Sequence, residues 1–165
     1  MPAKVKPIPE GYRTITPYLV VNDGAAAMEF YRRAFGAKEV MRMEAPGGKI
    51  AHAELKIGDS ILMLADEMPG MENRSPRSLG GTTAGIMLYV EDVDSVFKQA
   101  VSAGAKVDQP IADMFWGDRY GKLSDPFGHS WSLATHKEDV APADMERRAR
   151  EEMAKRAQQQ TRTAS

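Results

Sequence analysis

The stretch Tyr18-Leu-Val-Val-Asn-Asp23 and its later echo Met87-Leu-Tyr-Val-Glu-Asp92 decide the fold of this chain. In each, a short apolar run ends at an acidic residue and a helical pattern begins. A short apolar run bounded by turn residues fits a buried strand. The stripes that follow recur at helical spacing: Ala27, Phe30, Tyr31, Ala34 and Phe35 in the first case, Val93, Val96, Phe97, Ala100 and Val101 in the second. Asp23 and Asp92 stand where an N-cap side chain satisfies free backbone N–H groups. Both helices then stop at the same phrase, Gly36-Ala-Lys38 and Gly104-Ala-Lys106. Glycine there permits the left-handed turn that closes a helix. One start and one stop, repeated half a chain apart, mark an internal repeat.

Working outward, each helix is followed by three strand-like segments. These are residues 39–43, 49–57 and 60–65 in the first half, with turns at Pro46-Gly-Gly48 and Gly58-Asp59. In the second half they are residues 106–112, 119–123 and 129–135, with Asp125-Pro-Phe-Gly128 placing type I turn residues in order. The expected fold class is α+β, two βαβββ modules forming an open β cup. The boundaries are an N-terminal arm at 1–11, a first module at 12–66, a linker or lid at 67–83 and a second module at 84–136. A polar helical tail occupies 137–165, started by Pro142 and given a thin apolar face by Met145, Ala149 and Met153. The two modules make one domain.

Composition narrows the function. A chain of 165 residues is long enough for one hydrophobic core. Its formal charge of -1 provides no positive field to hold nucleic acid or an anionic membrane. There is no cysteine, which removes disulfides, thiolate zinc sites and cysteine nucleophiles and suits a cytoplasmic protein. The polar, proline-punctuated start lacks the apolar core of a signal peptide, and no apolar run reaches membrane-spanning length.

Strand alternation sorts side chains onto two faces. Leu19, Val21, Ala53, Leu55, Leu62, Leu64, Ile86, Leu88, Val90, Trp131 and Leu133 form an apolar set that should carry the helices. The opposite set is Thr16, Tyr18, His52, Glu54, Met63, Gly85, Met87, Tyr89, Ser130, Ser132 and His136. It mixes polar, aromatic and thioether groups, as a small-molecule pocket does.

Pro17-Tyr-Leu-Val-Val, Glu29-Phe-Tyr31 and Phe35-Gly-Ala37, paired with Tyr89-Val-Glu-Asp92, Gly104-Ala105 and Asp125-Pro-Phe-Gly128, carry a resemblance. Over residues 12–136 the chain resembles the glyoxalase/bleomycin-resistance/dioxygenase group, the vicinal oxygen chelate superfamily. His52-Ala-Glu-Leu55, Ile57-Gly-Asp-Ser60, Phe115-Trp-Gly-Asp-Arg119 and Asp125-Pro-Phe-Gly-His-Ser-Trp131 resemble its PhnB-like branch. The resemblance implies paired modules around an open cup, commonly as a homodimer. It also implies kinship both with glyoxalases and dioxygenases and with bleomycin-resistance proteins that sequester a ligand.

Metal enzymes of that superfamily take His, Gln or Glu from four strand positions, and the resemblance puts Thr16, Met63, Gly85 and Ser132 there. None suits a hard divalent cation, so neither metal nor other cofactor is expected. The spacing of His52, His129 and His136 permits a cluster elsewhere but does not require one. Two functions remain. In the first, Tyr18, Met63, Met87 and Tyr89 supply apolar contact to a small molecule while His52 and Glu54 fix a polar group. In the second, His52 and Glu54 act as acid and base in a metal-free reaction of lyase or isomerase type. The plain alternative for that pair is a polar contact between strand neighbours. Trp116 and Arg119 fit a wall and an anion clamp, or else Asp118 and Arg119 brace their loop as a matched pair. An interaction protein acting through the tail helix would be a third class.

Overall fold

Both halves start and stop their helices as the repeat requires. The computed structural model describes residues 5–163. Asp23 Oδ1 accepts from the Ala26 N–H and Asp92 Oδ1 from the Ser95 N–H, each at 3.0 Å, opening α1 (Gly24–Phe35) and α3 (Val93–Ala103). Such caps are each worth about 1 kcal/mol. Gly36 at φ 65° and Gly104 at φ 120° close them, a conformation that only glycine enters freely.

The first sheet runs β1-β4-β3-β2, built from β1 (Tyr18–Val21), β2 (Lys38–Ala45), β3 (Lys49–Ile57) and β4 (Ser60–Asp66). The second runs β5-β8-β7-β6, from β5 (Gly85–Tyr89), β6 (Lys106–Asp113), β7 (Asp118–Ser124) and β8 (Ser130–His136). β1 pairs with β4, and β5 with β8, in parallel; the remaining pairs are antiparallel. The α+β, twice-βαβββ architecture is therefore present, and neither sheet closes on itself.

The helix-facing set packs as its parity demands. Val21, Ala53, Leu64 and Leu133 are wholly buried, and Ile86, Leu88 and Val90 lean on the same core. α1 and α3 also pack on each other. One hydrophobic core thus lies between the sheets, and the other face of each sheet looks outward. Its centre crosses the module boundary: Phe35 meets Trp131 with ring centroids 4.6 Å apart, and Tyr31 meets Trp131 at 5.3 Å. Buried Asp125 ties this cluster together. It accepts the Tyr31 hydroxyl at 2.7 Å, the Trp131 indole N–H at 2.9 Å and the backbone N–H groups of Phe127 and His129. Every lone pair of consequence is used, which is what makes a buried carboxylate tolerable. His129 does not join a histidine cluster; its Nε2 meets the Val20 carbonyl oxygen at 2.9 Å, stitching the modules together.

The linker has more structure than its composition announces. A short helix, α2 (Pro76–Leu79), forms within it, and Ser75 is wholly buried. Glu67 gathers the segment, accepting from the Ser75 N–H at 2.9 Å, the Ser78 hydroxyl at 2.7 Å and Arg74 Nε at 2.8 Å. Hydrogen bonding from Ser75, then Ser78, holds its carboxyl down at about 2. The tail forms α4 (Pro142–Thr163), beginning at Pro142. Its early turns rest on the body through Met145, Ala149 and Arg148, whose guanidinium pairs with Glu138 at 2.7 Å, whereas Met153 is 69% exposed. Among the described residues, no helix is long and apolar enough to cross a membrane.

Candidate functional site

The outer face of the first sheet carries a row of side chains across all four strands. Register places Met41 beside Glu54, Glu54 beside Met63 and Met63 beside Tyr18; the next row puts Met43 beside His52. His52 and Glu54 share this face by strand alternation, and a register shift opposite Ala51 lets Ile50, two residues before His52, turn into the core instead. A chain of hydrogen bonds runs along it. The Tyr12 hydroxyl donates to Glu54 Oε2, Glu54 Oε1 meets His52 Nε2 at 3.2 Å, and His52 Nδ1 meets the Tyr18 hydroxyl at 3.2 Å. A carboxylate only accepts, so in the neutral ring Nε2 carries the proton and Nδ1 accepts from Tyr18. The hydrogen bond from Tyr12, and then that from His52, outweigh burial and hold the Glu54 carboxyl below its ordinary range. The same bond raises the Tyr12 phenol. Glu54 is thus a carboxylate at neutral pH.

Two recesses flank this chain. One of about 430 Å³ lies under the N-terminal arm, walled by Pro7, Pro9, Tyr12, Thr16, Glu54 and Met63. One of about 110 Å³ lies on the other side of Tyr18, beneath Met68 and Met71 of the segment after β4. Soft thioethers around a polar line make an adaptable, mostly apolar surface.

The second sheet's outer face carries its own cluster, centred on Asp118. This buried carboxylate accepts from the Tyr89 hydroxyl at 3.0 Å and the Trp116 indole at 3.1 Å, and pairs with His136 Nδ1 at 2.7 Å. Burial pushes the Asp118 carboxyl up, but the bonds from His136, Tyr89 and Trp116 outweigh it and leave it below the usual range. Trp116 meets Tyr120 edge to face at 5.6 Å, and Tyr120 shares a 2.8 Å hydrogen bond with Ser132.

The structure therefore divides the expected lining. His52, Glu54, Tyr18, Met63 and Thr16 come together on one face, Met87, Tyr89, Trp116 and Ser132 on the other. Arg119 joins neither. It lies on the helix side of β7, with Asp94 at 2.6 Å and Asp113 at 3.1 Å. It does not pair with Asp118, because successive strand residues point to opposite faces. Tyr12, Met41 and Met43 enter the site without having been expected there. Met41 and Met43 share period-two spacing with each other, but a register shift after Glu39, which pairs with core-facing Leu55, conceals which face they take; nothing local announces where Tyr12 lands.

The four positions that the resemblance assigns to a metal carry residues that do not fit one. Gly85 has no side chain and Met63 offers a thioether. Thr16 Oγ1 donates to the Arg13 carbonyl at 3.2 Å, and Ser132 Oγ is engaged by Tyr120. Hard divalent cations want charged or imidazole donors instead. Among the described residues, no three His, Asp or Glu side chains form a group able to hold a metal.

The family model of the Glyoxalase/Bleomycin resistance protein/Dioxygenase superfamily matches residues 13–133. An uncharacterised protein of Mycobacterium tuberculosis H37Rv is 46% identical over 129 residues, covering 76% of this chain and 76% of that protein. Among solved structures, TioX from Micromonospora sp. ML1 is 31% identical with a TM-score of 0.60, over 75% of this chain and 98% of its own. The bleomycin resistance determinant encoded on transposon Tn5 shares the fold at 22% identity and a TM-score of 0.57, over 76% of this chain and 99% of its own. With the repeat, the sheet order and the family model in agreement, the chain belongs to the glyoxalase/bleomycin-resistance protein/dioxygenase superfamily.

Proposed function

We propose that this chain is a cytoplasmic small-molecule-binding protein that works without the metal of its enzymatic relatives. The observation that carries this is the hydrogen-bonded line Tyr12–Glu54–His52–Tyr18 on a methionine-lined face, beside positions that lack metal donors. Apolar rings of a ligand lie on Met41, Met63 and Tyr18, and Glu54 with His52 orients one polar group. The Tn5 protein that shares this fold is a bleomycin resistance determinant, and the resemblance to resistance proteins that sequester a ligand supports binding as the function.

The protein works as a homodimer. Its two linings look outward on opposite sides of the helix layer, so each leaves half a cup open. β1 and β5 are edge strands, and an apolar groove of about 640 Å³ runs along β5, floored by Phe35, Ile61, Leu88 and Trp131. A second copy covers that groove and brings Tyr89 and Met87 toward the Glu54 face.

Screening metabolites and aromatic antibiotics by thermal shift, then repeating the hits on His52→Ala, tests the proposal. Hits whose shift vanishes in the variant are expected; hits indifferent to His52 would overturn its role in binding. Chelator-stripped protein titrated with Ni, Zn, Mn and Fe should take up no stoichiometric metal. A second reading, acid–base catalysis of lyase or isomerase type, draws on the 3.2 Å contact between His52 and Glu54. It predicts that His52→Ala keeps affinity for a hit and loses its turnover.

A further inference from the structure

We infer that Tyr12 is a resident stand-in for the ligand: its phenol holds on Glu54 the place of a neutral aromatic ring bearing a hydroxyl or N–H donor, which enters by displacing it. This rests on the binding proposal above, since it names the ligand class and the gate of the same face.

Consider what Glu54 demands of a guest. Its side chain is only 13% exposed, and its two oxygens are divided. Oε1 belongs to His52, a neighbour on the same strand whose position the sheet fixes. Oε2 belongs to Tyr12, which lies outside any helix or strand. Were Tyr12 simply to leave, a nearly covered anion would lose a charge-assisted hydrogen bond among thioethers, which is costly. Whatever replaces it must donate. A carboxylate or phosphate would be repelled, and a plain hydrocarbon would leave Oε2 unpaired. A phenol restores the same bond and sets its ring beside Met41 and Met63, which flank Glu54 on the adjoining strands and favour aromatic contact.

The segment before β1, residues 5–17 with the arm and the start of the first module together, is attached in a way that lets this exchange happen. Among the described residues, its side-chain ion pair to the body is Arg13 to Asp59, an exposed pair of small worth. Its apolar residues bury little, with Ile15 84% exposed and Ile8 50% exposed. Tyr12 N–H closes a turn onto the Pro9 carbonyl at 3.2 Å, and Gly11 takes φ 84° beside it, so the arm bends within itself as it presents the phenol. The 430 Å³ recess that it roofs is of small-ligand size. An intramolecular competitor lowers apparent affinity by the fraction of time that it vacates the site.

Full-length protein labelled at its methionine methyl groups and titrated with 4-methylphenol, the tyrosine side chain as a free molecule, tests this by NMR at Met41 and Met63. Tyr12→Ala should bind it about tenfold or more tightly than the unsubstituted chain. Tyr12→Phe, which keeps the ring and loses the bond, should gain less and guards against a folding defect in the first variant. Adding Glu54→Gln to Tyr12→Ala should abolish the gain, and toluene or 4-methylbenzoate should bind neither protein comparably. Equal affinity with and without the Tyr12 phenol would overturn the inference. So would 4-methylbenzoate binding as well as 4-methylphenol, or no shift at either methionine in any variant. The role of His52 in the broader binding proposal fails separately, when thermal-shift hits are indifferent to His52→Ala.

Discussion

Gly121 shows how little room the core leaves. A Cβ there would lie 2.6 Å from the Phe97 ring and 2.9 Å from Ile111. Its strand conformation suits any residue, so space rather than backbone freedom demands glycine. Gly121→Ala should cost about 1–3 kcal/mol through overpacking. Urea unfolding would register this as a lower midpoint at unchanged slope; an unaltered midpoint would mean that Phe97 has somewhere to go. Gly24 obeys a similar constraint at the start of α1, where a Cβ would press within 2.7 Å of Ile50 and 2.8 Å of the Asp66 carboxylate. Asp66 needs that proximity, because it accepts the N–H groups of Gly24 at 2.9 Å and Ile50 at 2.7 Å. In the second module Thr135 does the corresponding work, accepting the Val93 N–H at 2.9 Å. The repeat has kept the junction of last strand and helix start while changing the group that makes it.

Among the elements, the end of β8 couples stability to pH through a histidine. His136 faces Asp118 through Nδ1 at 2.7 Å and Asp139 through Nε2 at 2.9 Å. Both partners are carboxylates, so only the doubly protonated ring donates to both. Hydrogen bonding to Asp118, then to Asp139, raises the His136 imidazole above its ordinary value. A raised folded-state value means that the contribution is complete below about 6.5, the unfolded value, and is lost as pH rises through the folded one. Stability measured by chemical denaturation should therefore exceed that of His136→Gln at pH 5.5 and converge with it at pH 9. A constant gap would place the effect elsewhere. Which elements exist was legible in the sequence, because caps, stops and strand parity are local signals. Tyr18, His52, Glu54 and Met63 share a face for the same reason. What was hidden depends on where distant segments land. Arg119 reaches Asp94 on α3, Tyr12 returns to Glu54 from an arm without periodicity, and the four residues of α2 are too few to show a helical period. The division of one expected lining between two faces was hidden too. Parity tells which side of a sheet a residue takes, not how two sheets are set about their helices.

For the whole molecule, the aromatic centre means that covalent continuity between the modules is dispensable while their company is not. Phe30, Tyr31 and Phe35 from the first half pack on Phe127 and Trp131 from the second, and Gln99 Nε2 donates across the boundary to the Ala34 carbonyl at 3.0 Å. A half-chain alone would expose those rings and strand the Asp125 carboxylate without Tyr31. A protease site placed after Thr83, in an exposed stretch beyond α2, should yield two pieces that co-elute and unfold together. Expressed apart, each should lack cooperative unfolding by circular dichroism until its complement is added. A first half that melts cooperatively by itself would refute this. On the expected outcome the fold is a two-piece complementation system in one polypeptide, in which two like units each supply part of the interior of a single core.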